Sequence, residues 1–176
     1  MERQIARGCG FITFHFSTFA PDQYAPEMLR WSGAYFDWEN EGRRDWYSAI
    51  TTIEAEVDLL SVDHSVARGV KPFRMKEEFY YNLRFAAPPD PHVTHILAVP
   101  ALGGRAPDGN VVAWARLRED GGRSFGTTCG HFYDNWQNAN FRKLILNALV
   151  WTSGLEVPEQ GIESAYLSRE ELERVE

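Results

Sequence analysis

The sequence predicts one α/β domain, and three observations predict it. Its 176 residues suit a single core. Its apolar runs have strand length, about six residues at most. Residues 138–153 carry the one sustained helical spacing of apolar side chains.

The elements follow in order. Phe11-Ile-Thr-Phe-His-Phe lies between Gly8-Cys-Gly and Ser17-Thr18 and is apolar at nearly every position, as expected of a central strand covered on both faces. Met28, Leu29, Trp31, Ala34 and Tyr35 give residues 26–38 a loosely helical pattern broken at Gly33, and residues 39–45 read as a surface loop. Residues 48–58 alternate imperfectly through Ile50, Ile53 and Val57, as an antiparallel or edge strand does. Residues 79–85, 95–100 and 111–116 are further strands, and the turn formers of 103–110 predict an exposed loop. Asp120-Gly within 118–123 tolerates the positive φ of a tight connection, so a β-hairpin is expected near 111–129, with 123–129 returning. The helix over 138–153 has a buried stripe of Phe141, Leu144, Ile145, Ala148, Leu149 and Trp151, with Asn138 or Asn140 to cap it and Gly154 to end it. The charged tail from Ser164 has only Leu167, Leu172 and Val175 as anchors and is a short packing helix or a frayed end.

Composition excludes several functions. Eighteen Lys and Arg against 25 Asp and Glu give a net charge of −7, a field that repels phosphate backbones and anionic headgroups, so no nucleic acid is expected as partner. No apolar stretch approaches the about 20 residues that cross a bilayer, and Met1-Glu-Arg-Gln-Ile-Ala-Arg holds no apolar signal region. No membrane partner and a soluble, cytoplasmic protein are expected. Cys9 and Cys129 cannot supply a disulfide framework or a four-thiolate zinc site and should be free and reduced. Aromatic residues make up 14% of the chain, serving equally as core or as flat faces for sugar rings.

Several residues could carry chemistry. His15 lies in an apolar strand ending in Ser17-Thr18, and strand carboxyl ends gather ligands in α/β sheets; a core histidine bonded to backbone fits the same pattern. Gly130-His131 follows a strand and opens a polar loop holding Asp134, Asn135 and Trp136, which places an imidazole at a strand end; the alternative is a histidine capping local backbone. Glu77 and Glu78 precede the strand at 79–85 and by themselves read as solvated charges. Asp63-His64 looks like a surface turn, and His92 and His95 have no partner at metal-ligand spacing.

Taken together, Gly8-Cys-Gly-Phe-Ile-Thr-Phe-His-Phe-Ser, Asp63-His-Ser-Val-Ala-Arg-Gly-Val, Lys76-Glu-Glu-Phe-Tyr-Tyr, Gly122-Arg-Ser-Phe-Gly-Thr-Thr-Cys-Gly-His and Phe141-Arg-Lys-Leu-Ile-Leu-Asn-Ala-Leu-Val-Trp resemble the ThuA-like, or trehalose utilisation, family. The resemblance implies a mostly parallel sheet flanked by helices, a class I glutamine amidotransferase-like (flavodoxin-like) three-layer sandwich. It does not imply that fold's cysteine nucleophile, because Cys9 is at the wrong end of its strand and Cys129 precedes the histidine. The chain departs from the family pattern at Ser65, where the family has proline, at Ala67, where it has threonine, and at Glu77, where it has aspartate. Family members also carry strands before the Gly-rich one. A chain short of them would expose an edge and associate with itself, or be a piece of the family domain.

The resemblance further implies a carbohydrate as small-molecule partner and a site of His15, Glu78 and His131. Glu78 would be general base or acid and His131 its partner or an electrophile, with Ser17, Arg116, Asn135 and Trp136 contacting substrate. Two imidazoles and one carboxylate are equally the ligand set of a divalent metal, zinc or similar, so no cofactor and a metal both stay open. Two functions compete: an enzyme acting on a sugar, and a non-catalytic module that binds a carbohydrate or a partner. Whether the three side chains converge on one point discriminates between them.

Overall fold

The structure, a computed structural model, describes residues 1–105 and 107–174. Among these the order is α1 (Glu2–Ile5), β1 (Phe11–Phe14), β2 (Phe19–Ala20), α2 (Ala25–Trp31), β3 (Ala34–Asp37), β4 (Ala49–Leu59), β5 (Phe73–Tyr81), β6 (Arg84–Phe85), β7 (Val93–Ala98), β8 (Val111–Leu117), β9 (Arg123–Thr127), α3 (Ala139–Thr152) and α4 (Arg169–Glu173). Six strands form one sheet in the order β1-β9-β8-β7-β4-β5, and β2-β3-β6 form a smaller one.

The fold is mixed α/β, but the expected mostly parallel sheet is corrected. In the large sheet β1 and β9 pair parallel, whereas β9–β8, β8–β7, β7–β4 and β4–β5 are antiparallel. The connections explain it. A parallel neighbour needs a crossover of about a dozen residues or more, usually carrying a helix. Here β8 returns as β9 through a tight turn in which Arg118 N–H donates to the Gly122 carbonyl and Gly121, at φ +80°, donates to that of Arg118. β4 returns as β5 through residues 60–72, which hold a short 3-10 turn and no α-helix. That long hairpin runs in register from Ala49 opposite Tyr81 to Val57 opposite Phe73. The sheet curls until β5, last in hydrogen-bonding order, reaches the segment following β9, where the Glu77 carboxylate accepts from the Gly130 N–H.

Apolar cores fill both faces. On one, Phe141, Leu144, Ala148 and Trp151 of α3 pack with Val112 and Phe125. Asn138 caps this helix by accepting from the N–H groups of Asn140 and Phe141, and Gly154, at φ +82°, follows its end. On the other face Phe36, Tyr80, Leu83 and Trp114 form a second cluster beneath the small sheet. The Trp114 indole donates to the Ser32 carbonyl at 2.8 Å, and only glycine fits at 126, where a Cβ would stand 2.2 Å from the ring.

Five local expectations change. β1 is an edge strand that ends at Phe14, not a central one. The pattern at 26–38 divides at Gly33 into α2 and β3. The strand expected at 79–85 begins at Phe73, so Glu77 and Glu78 lie within it. Leu149 is 47% exposed because its side of α3 borders β1, beyond which no further strand lies among the described residues; with Ile12, Phe14 and Trp136 it lines an apolar groove of about 340 Å³. Leu167 and Leu172 are also exposed. The tail is held by polar contacts, Tyr133 Oη to the Leu167 carbonyl and Arg142 to Ser164. Val175, and Ala106 in the 103–110 loop, lie outside the described residues. Among the described residues no helix is long and apolar enough to cross a membrane.

Candidate functional site

At the end of β1 the chain turns sharply. His15 takes φ +46°, a left-handed conformation that costs energy for a side chain with a Cβ and that concentrates at functional positions. Ser17 ties the turn down: its Oγ accepts from Phe14 N–H at 2.6 Å and donates to the Phe14 carbonyl at 2.9 Å. His15 Nδ1 lies 2.9 Å from the Thr128 carbonyl oxygen. A carbonyl only accepts, so Nδ1 carries a proton, and in the neutral ring Nε2 presents a lone pair.

His131 arrives from the parallel neighbour. Gly130, at φ +125°, lets the chain leave β9, and its missing side chain makes room for the Phe14 ring, which a Cβ would approach to 2.2 Å. His131 Nδ1 then stands 3.1 Å from His15 Nε2 and 3.0 Å from Glu78 Oε2.

The third contribution follows from strand alternation. Phe73, Met75, Glu77 and Phe79 point from β5 into the core, and Glu78 and Tyr80 point to the other face. Glu78 Oε2 is 3.6 Å from His15 Nε2. Tyr80 Oη donates to Glu78 Oε2 at 3.2 Å, lies 2.9 Å from His15 Nε2, and its ring stacks on His15 at 4.4 Å. Burial, then the Glu78 carboxylate, pushes the Tyr80 hydroxyl well above its usual range, so it stays a donor.

Glu77 is fully buried yet fully bonded. Its Oε1 accepts from the N–H groups of Glu78 and His131 at 2.8 and 3.1 Å; its Oε2 accepts from Gly130 N–H and Asn135 Nδ2 at 2.8 and 2.9 Å. Such bonding compensates the loss of water around a buried carboxylate.

The cluster suits two chemistries. As it stands it is an acid–base network of one carboxylate, two imidazoles and a phenol linked through contacts of 2.9 to 3.2 Å. The possible ligand atoms His15 Nε2, His131 Nδ1 and Glu78 Oε2 also stand close together, 3.1 Å between the two imidazoles and 3.0 and 3.6 Å from the carboxylate to His131 and His15. Ligands at about 2.1 Å around a tetrahedral ion stand about 3.4 Å from one another, so the residues fit a zinc-like ion. The Thr128 carbonyl supplies the outer partner that orients a ligating histidine.

The remaining expected residues are placed differently. Ser17 spends its hydroxyl on Phe14. Asn135 holds Glu77 and the Lys76 carbonyl. Trp136 stacks on Phe14 at 6.0 Å. The structure does not bring Arg116 to the cluster: it pairs in register with Ser124, at the end of β9 remote from His131, and is locked by Asp90 at 2.8 Å and the Arg30 carbonyl at 2.6 Å. Sequence reasoning missed Glu77 and Tyr80. The alternation Phe73, Met75, Glu77, Phe79 is the signal that finds the first, and Tyr80, two residues from Glu78, shares its face. The Cys129 thiol is enclosed in the core and pushed up by burial and by Glu77, so it offers no thiolate; Cys9 is free and exposed.

Comparison with known proteins follows the geometry. A family model described as trehalose utilisation (ThuA) matches residues 1–152. Solved structures with the same fold include a ThuA-like protein from Parabacteroides merdae, with TM-score 0.66 and 14% identity over 93% of this chain and 70% of that one. Another is a ThuA-like protein from Bacteroides uniformis, with TM-score 0.62 and 14% identity over 86% of this chain and 61% of that one. A search of curated proteins found no match.

Proposed function

The chain belongs to the trehalose utilisation family, and on that premise we propose that it is an enzyme acting on a sugar at the cluster of His15, Glu78 and His131. The observation that carries the reading is the convergence of the three side chains, from β1, β5 and the exit of β9, on one point. Two costly features support it: the left-handed backbone at His15 and the buried Glu77 that fixes its neighbours.

Each residue has a role in this reading. Glu78 takes a proton from a sugar hydroxyl or returns one to it, and the Tyr80 hydroxyl orients Oε2 for that transfer. His131, the most exposed of the three, relays the proton to solvent or polarises a substrate oxygen. His15 donates Nδ1–H to the Thr128 carbonyl, which orients the ring and selects the neutral tautomer whose Nε2 faces the cluster. A divalent ion held by His15 Nε2, His131 Nδ1 and Glu78 Oε2 would add Lewis acidity toward a hydroxyl or carbonyl oxygen.

The test joins elemental analysis of purified protein with turnover assays on trehalose and related disaccharides, using wild type and Glu78→Gln. The expected result is turnover lost by at least about a hundredfold in the folded variant, the usual share of a positioned acid or base. Co-purified zinc that Glu78→Gln releases would select the metal-assisted form. Wild type that binds sugar without converting it would instead make the protein a binding module.

A further inference from the structure

The turn that carries His15 also carries the most exposed aromatic side chain among the described residues, Phe16, at 69%. A lone surface phenylalanine is common and by itself calls for no role. Phe16 differs in how firmly it is displayed. Residues His15–Thr18 form one 3-10 turn, in which Ser17 Oγ bonds both backbone groups of Phe14, Thr18 Oγ1 donates to the His15 carbonyl at 2.7 Å, and Phe19 N–H donates to the Phe16 carbonyl. The backbone on either side of the ring is fixed before any ligand arrives, so little freedom is left to lose on contact.

The ring is also the open end of a stack. Phe16 lies on Phe19 with 4.8 Å between centres and 20° between planes, and Phe19 lies on the fully buried Phe36 at 4.1 Å and 9°. Trp46 meets Phe19 and Phe36 edge-on, at 84° and 83°, and braces the pair. With Phe19 on one face of so exposed a ring, the other face is open. The stack adjoins the cluster at two points: Phe16 follows His15 in the chain, and Phe19 meets Tyr80 edge-on at 5.2 Å while Tyr80 stacks on His15 at 4.4 Å. Against the open face a flat aromatic ring gains offset stacking in addition to burial, whereas a saturated ring gains burial alone. Neither Phe16 nor the already bonded Ser17 offers a hydroxylated ring a hydrogen bond.

We propose that Phe16 is a specificity-determining residue and that the molecule held at the cluster carries a planar aromatic group, which extends the Phe36–Phe19–Phe16 stack by one ring beside His15. The inference rests on the reading of the cluster as the reacting site and adds to it the chemistry of the group attached to the sugar.

The test is ligand-observed NMR titration with phenol and cyclohexanol, and with phenyl and cyclohexyl glucosides, pairs that match in size and differ in the π face. It uses wild type, Glu78→Gln, Phe16→Leu and Phe16→Ala; at so exposed a position neither Phe16 variant should change the melting temperature. The expected result is that wild type and Glu78→Gln bind the phenyl member of each pair about threefold or more tighter than the cyclohexyl member, and that both Phe16 variants lose this preference. Equal affinities within the pairs, a preference that survives in Phe16→Leu, or no phenyl ligand bound at tens of millimolar would overturn the proposal. Ligand binding unchanged in Phe16→Ala, with self-association abolished in sedimentation, would overturn it too and assign the ring to a contact between copies. A phenyl preference that depends on Phe16, in a wild type that turns over no glycoside, would overturn the catalytic reading and leave the aromatic subsite standing; turnover lost in Glu78→Gln, with no phenyl preference, would do the reverse.

Discussion

The Glu77 carboxylate accepts the backbone N–H of His131 at 3.1 Å through the same oxygen that accepts from Glu78 at 2.8 Å. One buried atom therefore sets the spacing between a carboxylate on β5 and an imidazole beyond β9. The second oxygen, on Gly130 and Asn135, fixes the loop in which that imidazole sits.

Glu77→Ala should accordingly destabilise the protein by about 3 kcal/mol or more, since it leaves several buried donors unpaired at about 1–3 kcal/mol each. Urea unfolding measures it. A loss below about 1 kcal/mol would show that water replaces the carboxylate without cost.

Leu144 is fully buried on α3, so Leu144→Ala should cost about 2–5 kcal/mol. Leu149→Ala, five residues further on at a half-exposed position, should stay below about 1 kcal/mol. Equal losses would return Leu149 to the buried stripe.

Stability should decline on acidification below pH 6.5, the ordinary histidine value. Burial, then Arg123, lowers the pKa of His64, and burial lowers that of His95 against the opposing pull of Asp108. The unfolded chain then binds protons that the folded chain refuses, so stability present above pH 6.5 is lost as pH falls through the folded values. Unfolding free energies at a series of pH values from 8 to 5 check the sign; a flat profile would mean that both rings protonate in place.

The apolar groove beside β1 bears on assembly, because an unpaired edge strand next to apolar surface favours association. Sedimentation should show self-association that Leu149→Lys weakens. A monomer at every concentration would remove that expectation.

Legibility in the sequence followed the physics of each element. α3 was readable because its apolar spacing, its capping Asn138 and its terminating Gly154 all act within a few residues, and Asp120-Gly likewise announced the β8–β9 hairpin. The parallel sheet came from resemblance, whereas strand direction is decided by connection length, and the short links argued for antiparallel pairing. At the site, His15 and His131 were visible as strand-end histidines. Glu77 was not, because a Glu-Glu pair looks solvated until β5 is known to begin at Phe73 and to turn alternate residues inward. Arg116 looked available because a sequence does not show that Asp90 and the Arg30 carbonyl already occupy it.

The curl of the large sheet has a consequence for the order of events in synthesis. His15 and Glu78 have both left the ribosome long before Gly130 and His131, yet Glu77 has no loop to hold until that later stretch is in place. The contacts that assemble the cluster span more than fifty residues, and those of His15 with Thr128 and His131 span 113 and 116. A nascent chain that lacks the strand at 123–127 therefore cannot bring the three side chains together, and they meet only when that strand pairs between β1 and β8.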